Sequence, residues 1–117
     1  MNEIDDPVGE WLTLPDVAEA LSLDVMKVRR LVQEHDLVAI RRGDPPRLSI
    51  PAALIADGQL LPNLRGTLNV LGDAGFTDAE AITWLFTADP TLPGTPVDAL
   101  WAGRRAEIRR RAQALAV

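Results

Sequence analysis

Two short amphipathic segments separated by three residues constrain this chain more than any other feature. In "LPDVAEALSLDVMKVRRLV" the residues Leu14, Val17, Ala18 and Leu21 recur at i, i+3, i+4 and i+7, the spacing of one helix face. Thr13 stands before that run as an N-cap. Pro15 and Asp16 fall in the first turn, where a missing N–H and a negative charge are both tolerated. The spacing predicts a helix over 14–21. "SLD" then makes a short turn, and Asp24 caps a second helix with Val25, Val28, Leu31 and Val32 as its apolar face, ending near His35 or Asp36.

Two short helices joined in this way form a helix-turn-helix, in which the first braces the second. Met26, Lys27, Arg29, Arg30 and Gln33 fall outside the apolar face of the second helix and form its outer surface. Downstream, "LVAIRR" and "RLSI" flank the turn-forming "GDPP", which predicts a β-hairpin with Arg41, Arg42 and Arg47 near its tip. On a strand Arg41 and Arg42 point to opposite sides, so one faces outward and the other lays its stem along the domain. Arg47, across the turn, partners whichever points outward. "IPAALIADGQ" reads as a strand end, a proline at a helix start and one or two apolar turns.

The charge distribution gives these cations their weight. The 117 residues carry a net charge of -5, yet half of the Lys and Arg residues lie between positions 26 and 50. Residues 1–25 hold seven acids and no base, residues 26–50 six bases and three acids, residues 51–103 one base and six acids, and residues 104–117 five bases and one acid. Attraction to a polyanion depends on the local field, not on the sum.

Composition closes off other classes. A hydrophobic content of 47%, supplied mostly by Ala, Leu and Val, suits a mainly helical core over a β-sandwich. The absence of Cys excludes disulfides, thiolate catalysis and Cys-ligated zinc. His35 is the only histidine, so no Ser-His-Asp set or multi-histidine metal site can form, and a cation near a helix C-terminus is its simplest reading. Asp5 with Asp6 lies in an expected flexible acidic tail over residues 1–10 and has no held geometry. Gly72 and Gly75 lack the following Gly-Lys-Ser/Thr of a phosphate loop. No catalytic residue, cofactor or metal is expected. No run is long and apolar enough to span a bilayer and no secretory leader is recognised, which points to a cytoplasmic protein.

Residues 61–117 read as a helical C-terminal domain following a first domain over 11–60. "PNLRGTLNVLGDAG" is helical through Leu64, Leu68 and Leu71; "FTDAEAITWLF" opens with a capping box, Thr77 to Glu80, and Phe76 as a staple residue. Thr95 and Pro96 open a short helix through Trp101. "RRAEIRRRAQALAV" closes the chain with Ile108, Ala112 and Leu115 as its buried edge. Its arginines either offer a second phosphate-binding face or neutralise the acidic helices before them. Trp84 and Trp101 are expected in the core.

The run "WLTLPDVAEALSLDVMKVRRLVQEHDLVAIRRGDPPRLSIPAALI" resembles winged helix-turn-helix modules of the excisionase and MerR-like type. The whole chain, through "WLFTADPTLPGTPVDAL", resembles a small actinobacterial family that joins such a module to a helical C-terminal domain of unknown role. The resemblance implies binding of double-stranded DNA, with Lys27, Arg29 and Arg30 on the second helix and Arg41, Arg42 and Arg47 on the wing as contacts. Gln33 either bonds an adenine edge or is a surface helix former. With so few local cations, binding by one module is expected to be weak and salt-dependent, and a homodimer or paired sites would strengthen it. The alternative is an antitoxin-like or adaptor protein whose C-terminal helices bind a protein partner, and a nonspecific architectural DNA-binding protein is a third reading.

Overall fold

The structure, a computed structural model, describes residues 5–115. One helical turn, α1 (Asp5–Val8), leads into β1 (Trp11–Thr13), the helix pair α2 (Leu14–Leu21) and α3 (Val25–Gln33), and the hairpin β2 (Ile40–Arg42) and β3 (Arg47–Pro51). A 3-10 turn over Ala52–Leu54 connects to a second, two-residue-stranded hairpin, β4 (Ile55–Ala56) and β5 (Gln59–Leu60). Four helices follow: α4 (Leu64–Asp73), α5 (Asp78–Leu85), α6 (Pro96–Trp101) and α7 (Arg105–Gln113).

Local chemistry sets these boundaries. Thr13 and Asp16 form a reciprocal capping box at the start of α2, and Ser22 closes that helix in the left-handed region at φ 57°. The Asp24 carboxylate accepts from the Lys27 backbone N–H and starts α3. That helix ends at Gln33, earlier than expected, because His35 adopts φ 65° and breaks the repeat. The Thr77 and Glu80 box opens α5 as its sequence implies, and a third box, Thr95 with Asp98, opens α6.

The predicted hairpin is present as part of a larger sheet. β3 is central: β1 pairs antiparallel with one edge, Thr13 opposite Ser49, and β2 with the other, Arg42 opposite Arg47. The strand-like "WLT" thus ties the start of the helix pair directly to the wing. Leu37, Val38 and Ala39, expected to begin the wing strand, instead enter the core as non-strand backbone. The apolar turns expected after Ile50 are also replaced in part, by the β4–β5 hairpin, whose turn places Asp57 at φ 53° and Gly58 at φ 74°.

Buried side chains from both halves of the chain form one cluster, from Val17, Val28, Leu37 and Ile50 to Leu71, Ile82, Leu100 and Ile108. The expected boundary near residue 60 falls at β5, and polar contacts cross it. Trp101 Nε1 donates to the Ala53 carbonyl at 2.9 Å, Arg65 Nε to Asp36 Oδ1 at 3.1 Å, and His35 Nδ1 lies 2.7 Å from Asn69 Oδ1. Of the expected tail, residues 1–4 lie outside the described residues; residues 5–8 form the α1 turn, which packs near α5, and Val8 is buried. Trp84 and Trp101 are half-buried against the core.

Two expected core positions are corrected. Val25, in the first turn of α3 and about 60° around the helix from the buried Val28, is 36% exposed, and Leu115, beyond the end of α7, is 42% exposed. Ile108 and Ala112 form the buried edge of α7 as their spacing implies.

Candidate nucleic-acid interface

Val28 is fully buried, and one side of α3 packs on α2. The 100° step of the helix therefore turns Met26, Arg30 and Gln33, at i, i+4 and i+7, directly outward. Lys27 lies on one flank of this ridge, Val25 and Arg29 on the other. All six residues are exposed. The N-cap on Lys27 N–H fixes the first turn from which this surface is displayed.

The wing adds cations to one flank. Arg29, Arg41 and Arg47 converge with Thr13, Leu14, Pro15 and Leu48 around an open cleft of about 370 Å³. That volume accommodates a phosphate group together with several waters, each of which occupies about 30 Å³ in the liquid. Arg41 and Arg47 are exposed at its mouth. Arg42 is directed elsewhere: its guanidinium carbon sits 4.4 Å from the centroid of the Trp11 ring. The alternation along β2 thus separates two adjacent arginines, one toward the cleft and one along the domain.

The electrostatics of this surface contrast with the rest of the molecule. Lys27, Arg29, Arg30, Arg41 and Arg47 make no ion pair among the described residues, whereas Arg65 pairs with Glu34 and Asp36, Arg104 with Glu107, and Arg111 with Asp89 and Glu107. The C-terminal arginines are in this way partly neutralised by their own neighbours. On the wing, Arg42 and Arg47 are opposite each other in the backbone register of the hairpin, with Arg42 over Trp11 and Arg47 at the cleft. At the edge of the cleft, the Thr13 backbone N–H, and then its hydroxyl, hold the exposed Asp16 carboxyl below its ordinary range. Among the described residues no group of His, Asp and Glu is arranged to hold a metal ion.

Sequence reasoning located every cation of this surface but not the cleft, whose walls come from the N-terminus of α2, the middle of α3 and both wing strands. The β1–β3 pairing brings them together, and no local signal encodes it. The missed β4–β5 hairpin did have a signal, the Asp57–Gly58 pair.

A helix pair braced on a three-stranded sheet, with its β2–β3 hairpin beside the second helix, defines a winged helix-turn-helix protein with a helical C-terminal region. The chain belongs to the Rv2175c family: residues 3–55 match the family described as "DNA-binding protein Rv2175c, wHTH domain", and residues 61–116 match the "Rv2175c C-terminal domain of unknown function". It is 39% identical to the DNA-binding protein Rv2175c of Mycobacterium tuberculosis (strain ATCC 25618 / H37Rv), over 98% of this chain and 86% of that protein. The NMR structure of Rv2175c superposes with a TM-score of 0.83 at 38% identity, covering 99% of this chain and 87% of that one. The family is described by DNA binding and not by an enzymatic activity. No helix among the described residues is long and apolar enough to cross a membrane.

Proposed function

We propose that this chain is a double-stranded DNA-binding protein acting in transcription regulation. The observation that carries the reading is the set of five cations without ion-pair partners, Lys27, Arg29, Arg30, Arg41 and Arg47, gathered on α3 and the wing of an otherwise acidic chain. The description of the family supports it.

In this reading α3 lies in the major groove with the Met26, Arg30 and Gln33 ridge toward the base edges and Lys27 against one backbone. Arg30 reads a guanine edge and Gln33 an adenine edge, the pairings their donor and acceptor sets allow. The Arg29, Arg41 and Arg47 cleft takes a phosphate of the flanking strand, which sets register without reading sequence. Arg42 acts indirectly, by holding the wing against Trp11. The acidic surface elsewhere repels the polyanion and leaves this face to meet it.

Binding of the full chain to duplex and single-stranded DNA, followed by fluorescence anisotropy at two salt concentrations, tests the proposal. Salt-sensitive binding that favours duplex and is lost on joint Lys27→Ala and Arg30→Ala substitution is expected. Unchanged binding by that variant overturns the placement of α3, and selection from a random duplex pool that returns no consensus overturns sequence-specific regulation.

A further inference from the structure

Three large hydrophobic side chains are exposed among the described residues, and two of them are consecutive at the start of α3: Met26 at 71% and Val25 at 36%. A single exposed apolar residue is ordinary on any surface. Here, however, Met26 shares the outermost line of the helix with Arg30 and Gln33, and Lys27, Arg29 and Arg30 surround it with no carboxylate paired to any of them. An apolar point enclosed by unpaired cations complements a surface whose rims are anionic and whose floor carries an apolar group.

The major groove of DNA has that character. Its edges are phosphates, and the apolar group on its floor is the C5 methyl of thymine. The first residues of a recognition helix are those that reach the base edges, and Met26 occupies the second position of α3. Its unbranched thioether side chain adapts to an irregular apolar contact without strain. We propose that Met26, with Val25 beside it, is a specificity-determining residue that packs on a thymine methyl and biases this surface toward A·T-containing sites. The inference rests on the placement of α3 in the major groove and adds to it a residue that reads without hydrogen bonds.

Replacing thymine by uracil removes the methyl alone and leaves phosphates and hydrogen-bonding edges in place. Affinities of the full chain for alternating dA·dT and dA·dU duplexes of equal length, at one salt concentration, therefore isolate the contact. The wild-type chain is expected to bind the thymine duplex roughly threefold to fivefold more tightly, the effect of one buried methyl-sized group. Met26→Ala is expected to bring the ratio of the two affinities to one with the thermal midpoint unchanged, and Met26→Leu keeps the ratio of the wild type. Equal affinity of the wild type for both duplexes, or a preference that survives Met26→Ala, overturns the inference while leaving DNA binding standing. Failure to bind any duplex removes the underlying reading as well. A concentration-dependent dimer in sedimentation that Met26→Ala abolishes would assign the patch to a second copy of the chain and also overturn the proposal.

Discussion

Arg41 and Arg42 are adjacent in sequence and lead to different predictions. Arg41 lines the cleft with Arg29 and Arg47, so each of the three replaced by Ala is expected to weaken binding to every duplex alike and to reduce the salt slope of the affinity by about one. Arg42 lies over Trp11, so Arg42→Ala is expected to cost about 0.5–1 kcal/mol of stability, read by denaturant titration, and to affect the salt slope less than Arg41→Ala. A salt titration of the four single variants separates the two roles. Capping carboxylates act at the same scale. The Thr13 and Thr77 backbone N–H groups, and then their hydroxyls, lower the pKa of Asp16 and Glu80, and the Thr91 hydroxyl and N–H lower that of Asp89. A carboxyl whose pKa is lower folded than unfolded stabilises the fold above its ordinary value, and that contribution is lost as pH falls through the folded pKa. The thermal midpoint is thus expected to fall on acidification below the ordinary carboxylate range, where the unfolded chain takes up these protons before the folded one does. An Asp16→Ala and Glu80→Ala double variant, less stable at neutral pH, should show a shallower decline.

At the scale of elements, capping explains why short segments hold their shape. α2 has eight residues and α3 nine, too short to persist alone in water, so their ends must be specified. Thr13→Ala is expected to cost about 1 kcal/mol, and Asp24→Ala a similar amount while also loosening the turn that carries Met26 and Lys27. Calorimetry and duplex binding together distinguish them: both variants lose stability, and Asp24→Ala loses proportionately more affinity. The β4–β5 turn depends on Gly58 at φ 74°, with space for a Cβ 3.7 Å from the Ala20 carbonyl. Gly58→Ala is then a test of backbone conformation and not of crowding, with an expected loss of about 1–2 kcal/mol, read by denaturant titration.

The halves on either side of residue 60 share a buried cluster and the Trp101–Ala53 hydrogen bond, which makes the helical C-terminal region a brace for the winged module. A single unfolding transition, coincident by tryptophan fluorescence and far-UV circular dichroism, is expected for the whole chain. Ile108→Ala, in the last helix and fully buried, should lower that one transition by about 2–5 kcal/mol instead of splitting it into two. Arg65→Ala removes solvent-exposed ion pairs to Glu34 and Asp36, and the transition should move far less than for Ile108→Ala.

The sequence by itself determined the helix pair, its caps and its outward cations, because capping boxes and the 3.6-residue period act over a few neighbouring residues and need no distant partner. Thr13, Asp24, Thr77 and Thr95 stand where their hydrogen-bonding chemistry demands, and the apolar faces of α2 and α4 follow from spacing alone. Only the tertiary structure decided that "WLT" would pair with β3, that Arg42 would fold onto Trp11 while Arg41 joined Arg29 and Arg47, and that Val25 and Met26 would remain in solvent. Strand partners and the limits of burial depend on residues far apart in the chain, and a helical period says which residues share a face but not how far along that face the neighbouring element reaches.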